Sequence, residues 1–175
     1  MDQPRTIAGY TLLRELGRGG MGVVYEGQRS DGQRAAIKVL RSAKGERPPE
    51  DRFAREGRIR VEHPNVVRTL ESGVDDGDAF IVFELLDGED LDQYLERNAP
   101  LTASDAVRII MPVVTALAAA HDQGVLHRDV KPGNIFLCRD GSIKILDFGL
   151  AFVANESAIM TSEGAVMGTP AYLAP

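Results

Sequence analysis

The sequence predicts an α+β protein of two unlike lobes, with a five-stranded antiparallel sheet and one helix in the first and mainly helix in the second. Three observations predict it. Between Tyr10 and Leu86, short β-branched and apolar runs alternate with Gly and Asp-Gly turns. The charged stretch Lys44 to Arg60 interrupts those runs with a helical pattern. From Leu91 onward, two helical segments precede loops and two short strand-like runs. The expected organisation is a tail at 1–9, a first lobe at 10–86 and a second lobe at 87–175.

Taken in order, TLLRELG, VVYEGQ and AAIKVL read as three antiparallel strands, the last two joined at Asp31-Gly32, a strong hairpin signal. Pro48-Pro49 is a natural helix entry, and FAREGRIRV continues the helical pattern. VVRTLESG and AFIVFELL, separated by Asp75-Asp76-Gly77, complete the five strands. Leu91 to Arg97 reads as a short helix, and Ala103 to Gln123 as a long one with Thr102 or Ser104 as N-cap and Gly124 as its stop. The long helix is apolar nearly all round, which predicts burial on several sides, and Pro112 inside it removes a hydrogen bond. NIFLC and SIKIL, the last two strands, join at Arg139-Asp140-Gly141. These short pieces offer little material to cover such a helix.

The 175 residues carry a formal charge of -6, which disfavours neutralising nucleic-acid phosphates as the main task. Cys138 is the single cysteine, so no internal disulfide forms, and a reducing, cytoplasmic setting is expected. It reads as an inert strand residue. No window is expected to reach the roughly 18 apolar residues of a membrane span.

Gly17-Arg18-Gly19-Gly20-Met21-Gly22 has G-x-G-x-x-G spacing, either an ordinary turn or a loop whose backbone N–H groups approach phosphates. A dinucleotide fold needs a helix straight after the glycines, whereas Val23-Val24-Tyr25 is strand chemistry. Lys38 lies in the apolar run Ala35 to Leu40, where a buried amine is costly unless paired; it either snorkels from an edge or meets anionic partners.

His127-Arg128-Asp129-Val130-Lys131-Pro132-Gly133-Asn134, Asp147-Phe148-Gly149 and Gly168-Thr169-Pro170-Ala171-Tyr172-Leu173-Ala174-Pro175 follow the glycine loop and AAIK in one order. In that order they resemble the signature set of eukaryotic-type Ser/Thr protein kinases, from about Tyr10 to the last residue. The resemblance implies a protein-kinase-like fold whose second lobe is incomplete here, with ATP, Mg²⁺ and a protein Ser/Thr hydroxyl as reactants. It implies Asp129 as acceptor of the hydroxyl proton, Lys131 as charge neutraliser, and Asn134 and Asp147 as magnesium holders. It also implies Lys38 on the α- and β-phosphates, steadied by Glu56. The glycine loop, including Arg18 and Met21, would cover the nucleotide, Glu84 to Leu86 would contact adenine through backbone, and Val24, Ala36 and Phe136 would sandwich the base. Thr161, with Ser157 and Ser162 nearby, is the expected regulatory phosphosite, pairing with Arg128.

Three features depart from the family pattern, the first being Pro112 inside the long helix. Glu56 stands eight residues before Pro64, which is short, so the Lys38 to Glu56 pair is the least secure carry-over. The sequence ends where family members continue with a glutamate and further helices, so the 175 residues alone are expected to be poorly soluble and nearly inactive. The competing expectations are a nucleotide-binding pseudokinase and an inactive fragment that occupies a partner's surface; retention of Lys38, Asp129, Asn134 and Asp147 favours catalysis.

Overall fold

The computed structural model describes residues 4–20, 22–40 and 61–148. The expected helix within 44–60, Glu56 with it, and the segment from Gly149 onward lie outside those residues. The chain divides into two compact units, one of residues 1–60 and 68–86, the other of residues 61–67 and 87–175.

The first unit holds a six-stranded sheet: β1 Thr6–Ile7, β2 Tyr10–Gly19, β3 Gly22–Gln28, β4 Arg34–Leu40, β5 Thr69–Asp75 and β6 Asp78–Glu84, in the order β1-β2-β3-β4-β6-β5. All neighbours are antiparallel. The five expected strands are present, and β1 is a sixth, drawn from the segment expected to be a tail. It pairs because Ile7 and Tyr10 both enter the core with Ala35, Ile37, Val39, Phe80 and Val82. Burying a side chain such as Ile37 contributes about 1.5–3 kcal/mol. Arg29 fastens this edge, lying 4.4 Å over the Tyr10 ring and donating to the Ala8 carbonyl at 3.3 Å and to Glu71 at 2.6 Å. Strand β5 starts at Thr69 and not at Val66, because Val66 and Val67 belong to the other unit.

In the second unit a three-stranded sheet, β7 Gly88–Asp90, β8 Ile135–Cys138 and β9 Ile143–Ile145, runs in that order. Strand β7 was not expected from its sequence. Helix α1, Leu91–Asn98, is capped by Asp90, whose carboxylate accepts from the Gln93 N–H at 2.9 Å. Helix α2, Ala103–Asp122, is capped by Thr102, which accepts from the Asp105 N–H at 3.1 Å. Pro112 interrupts one hydrogen bond without ending the helix, and the Thr115 hydroxyl donates to the Pro112 carbonyl at 2.9 Å.

Ile109, Val113, Ala116 and Ala120 form one stripe of α2 and share a core with Leu91, Ile135 and Ile145. The opposite stripe, Val107, Ile110, Met111 and Val114, is exposed, so among the described residues the helix is buried on one side and not on several. With 20 residues and a mean hydropathy of 1.5, α2 is long and apolar enough by composition to cross a membrane, which corrects the expectation that no window reaches that mark. One stripe of it packs on β9 and the core.

Candidate active site

In the first unit, strand alternation decides which side chains share a face. Val24 of β3 stands opposite Lys38 of β4, and Lys38 opposite Ile81 of β6. Ala36 stands opposite Phe83 and Glu26. Val24, Ala36 and Lys38 therefore present one surface, with Lys38 only 6% exposed. The glycine loop leads into it: β2 and β3 close on each other at Gly19 and Gly22. A Cβ on Gly17, Gly19 or Gly20 would meet nothing within 4 Å, whereas one on Gly22 would stand 2.1 Å from the Val39 carbonyl oxygen. The loop backbone is thus open on its outer side and pressed against β4 at its return. Arg18 is engaged by Glu15, at 2.6 Å from one guanidinium nitrogen, which raises its pKa further.

At the end of β6 the Glu84 N–H donates to the Arg68 carbonyl at 3.0 Å, and the Glu84 carboxylate accepts from the Arg68 N–H at 2.9 Å. Both contacts fasten the end of β6 to the residue that precedes β5. Leu86 follows, half-buried. Met21 and Glu56 lie outside the described residues.

The second unit brings together Asp129, Lys131 and Asn134. Asp129 Oδ2 accepts from Asn134 Nδ2 at 3.0 Å and pairs with Lys131 Nζ at 2.9 Å. Asn134 Nδ2 also donates to the Asp129 carbonyl at 2.7 Å. Two donors on one carboxylate oxygen fix the side chain before any substrate arrives. Asn134 sits in a short 3-10 turn, Pro132–Asn134, which follows because Pro132 fixes its own φ at the turn's first position. The Asn134 carbonyl accepts from the Leu146 N–H at 2.9 Å, so the turn is tied to the residue preceding Asp147.

His127 is 2% exposed. Its Nε2 lies 2.8 Å from the Leu146 carbonyl, and its Nδ1 is 3.3 Å from the Asp129 N–H. A neutral ring protonated on Nε2 satisfies both contacts, and burial correspondingly holds its pKa below the ordinary histidine value. The Phe148 ring meets it edge-on at 4.7 Å between centroids.

Backbone strain concentrates here. Arg128, at φ 64°, precedes Asp129, and Asp147 itself has φ 59°. Non-glycine residues in that region cost on the order of 1 kcal/mol each and persist where surrounding bonds over-determine them. The His127 and Asn134 links to Leu146 are such bonds.

Sequence reasoning missed Asn65. Its Nδ2 donates to the Ile143 carbonyl at 2.8 Å, its carbonyl accepts from the Ile145 N–H at 2.8 Å, and Val67 N–H donates to Ile145 at 2.9 Å. Residues 65–67 thereby act as a further strand beside β9, the strand that delivers Leu146 and Asp147. The signal was the Asn immediately after His63-Pro64, a residue that bonds backbone in non-helical turns. Phe136 lies in β8, opposite Asp90 and Lys144.

Asn134 spends its amide hydrogens on Asp129, so its oxygen is the atom suited to a cation. Among the described residues no three His, Cys, Asp or Glu cluster for a metal. A site of one amide oxygen and one carboxylate, Asn134 and Asp147, fits magnesium, which keeps several waters and takes phosphate oxygens.

Comparison with known proteins adds to this geometry. The family profile described as "Protein kinase domain" matches residues 10–175. The chain is 42% identical over 170 residues to serine/threonine-protein kinase PknH of Mycobacterium bovis, covering 95% of this chain and 28% of that protein. It is 39% identical over 171 residues to probable serine/threonine-protein kinase PknB of Lactococcus lactis, covering 95% of this chain and 27% of that one. Against serine/threonine-protein kinase Pkn1 of Myxococcus xanthus the identity is 39% over 174 residues, covering 95% and 25%. The chain therefore spans about a quarter of the length of these relatives.

Proposed function

Since the chain belongs to the protein kinase domain family, we propose that it serves to transfer the γ-phosphoryl group of ATP to a serine or threonine hydroxyl of a protein. The observation that carries this reading is Asp129, whose Oδ2 is held by both Lys131 and Asn134 at hydrogen-bonding distance. A carboxylate so held is oriented to take a proton from an incoming hydroxyl while the freed oxygen attacks phosphorus. The bond from the γ-phosphorus to its bridging oxygen breaks, and ADP leaves with that electron pair. Lys131, next to the same carboxylate, offsets charge on the transferred group.

In the first unit, Lys38 grips the α- and β-phosphates and the open backbone of Gly17 to Gly20 covers the triphosphate. Val24 and Ala36 offer an apolar face to adenine, with the backbone of Glu84 to Leu86 at its edge. Asn134 and Asp147 would hold magnesium, which supplies charge neutralisation on the phosphate oxygens. Glu56 steadying Lys38, and phosphorylation of Thr161, belong to the same proposal, as does a cytoplasmic setting for the reaction. The relatives' printed names, all serine/threonine-protein kinases, support the choice of acceptor.

The test is phosphate transfer from labelled ATP to a protein acceptor by the complete gene product, beside Asp129→Asn and Lys38→Met. Transfer by the parent that falls by about 10²–10⁴-fold in Asp129→Asn supports the reading. ATP binding without transfer in the parent would replace it with a nucleotide-binding pseudokinase.

A further inference from the structure

Glu26 is a buried carboxylate that the chemistry above does not use, being 2% exposed in the middle of β3. It faces Arg14 of β2 on one side and Ala36 of β4 on the other. Arg14 Nε donates to Oε2 at 2.9 Å, with a second guanidinium nitrogen at 2.8 Å. Arg34 Nε donates to Oε1 at 2.9 Å, and its Nη2 contacts the same oxygen. Each carboxylate oxygen thus carries one guanidinium, and a single side chain ties three adjacent strands. The two arginines roof it, which is how a carboxylate so near the surface comes to be shielded. They also hold its pKa below the ordinary value, Arg34 most strongly.

Its position matters more than its strength. Every residue of β2 from Leu13 to Gly19 is exposed, so burial does not hold the glycine-loop strand in place. The β2–β3 pairing also slips twice, between Leu12 and Arg14 and between Glu15 and Gly17. Arg14 lies between those two slips. Where neither burial nor a regular ladder sets the register, a directional ion pair can. Alternation puts Glu26 on the same face as Val24, two residues along β3, and as Ala36 and Lys38 of β4.

We propose that Glu26 is a positioning residue for the nucleotide: by holding Arg14 and Arg34 together it fixes the glycine-loop strand in register with Val24, Ala36 and Lys38. The inference rests on the reading that this unit binds ATP. It acts through the loop, and Glu26 itself touches no substrate.

The experiment compares the complete gene product with Glu26→Gln, Arg14→Gln, their double variant and Lys38→Met. ATP Kd is measured by nucleotide titration, kcat at saturating ATP, and stability by denaturant unfolding. Glu26→Gln and Arg14→Gln each weaken ATP binding about tenfold with kcat within about twofold, and the double variant is no worse than either single one, as for one coupled pair. Arg14 is mostly exposed, so Arg14→Gln reports even where Glu26→Gln fails to fold. ATP affinity unchanged in Arg14→Gln and Glu26→Gln but lost in Lys38→Met would overturn the inference alone, leaving Glu26 a stabilising residue. No ATP binding by the parent would overturn the ATP reading itself, and the inference with it.

Discussion

The glycine loop and the segment from His127 to Asn134, the catalytic loop of the function proposed, hold their atoms in opposite ways. Around Gly17, Gly19 and Gly20 there is empty space, and from Leu13 onward β2 is exposed. Around Asp129 the side chains are locked: Asn134, Lys131 and His127 each bond to it or to its backbone. Two of the described non-glycine residues with positive φ sit in that second region. In the function proposed, a flexible, highly charged triphosphate would be served by the backbone amides of this open loop. Proton transfer and in-line attack need a group already in place, because reorganisation during the reaction is costly. The difference teaches which kind of substitution each region will notice: loss of a hydrogen bond in the catalytic loop, loss of space in the glycine loop.

The largest effect should come from Asn134→Ala. It removes two bonds that orient Asp129 and the amide oxygen suited to magnesium, so kcat should fall by at least about 10²-fold. Asn134→Asp keeps an oxygen ligand but loses the donor to Asp129. Steady-state phosphate transfer should therefore rank parent, Asn134→Asp and Asn134→Ala in descending order. Loss of less than about fivefold in Asn134→Ala would break the contrast, since Asp129 would then not depend on the bonds that hold it.

Next in size is a contrast within the glycine loop. A methyl group at Gly22 would stand 2.1 Å from the Val39 carbonyl oxygen, and backbone cannot yield cheaply. Gly22→Ala should destabilise the fold by about 2–3 kcal/mol, the scale of forced overpacking. Gly20→Ala meets open space and should change stability by less than about 0.5 kcal/mol. Denaturant unfolding of the two variants side by side checks this, and equal losses would show that the loop's outer side is not open.

The legibility of the sequence divided along the same line. The family resemblance of the ordered motifs pointed to Lys38, Asp129, Asn134 and Asp147, because each residue type is fixed by the chemistry expected of it. Strand alternation and Asp-Gly turns named five strands of the first unit. What sequence did not reveal depends on partners distant along the chain. Thr6–Ile7 became a strand only because Ile7 found a place in a core assembled from Ala35 to Val82. Val66 read as part of a strand continuing to Gly73, yet it bridges Ile145, almost eighty residues on. The three residues of β7 are too few to show a period, and their pairing with β8 alone defines them. For α2 the apolar pattern was read correctly, but composition does not say how many sides the chain covers. Nothing local in the sequence distinguishes Glu26 from a solvated strand carboxylate.

The smallest expected effect concerns pH. His127 is buried neutral, and its folded pKa lies below the ordinary 6.5 that it regains on unfolding. Below about 6.5 the unfolded chain therefore binds a proton that the folded chain refuses, and stability falls with pH until the folded pKa is reached, by at most about 1.4 kcal/mol per pH unit. Glu26 behaves differently in window though not in sign: its folded pKa is depressed below 4.5, so its contribution is complete above that value and is lost only as pH falls further. Any excess slope between about pH 6.5 and about pH 4.5 that a single substitution removes is thus assignable to the histidine and not to the arginine clamp. His127→Gln, which can still donate to the Leu146 carbonyl, should have a lower melting temperature at neutral pH but a flatter dependence between about pH 7.5 and about pH 5.5. Parallel slopes for the parent and His127→Gln would mean that the ring is not held neutral, and that the catalytic loop is less tightly determined than its bonds to Leu146 and Asp129 imply.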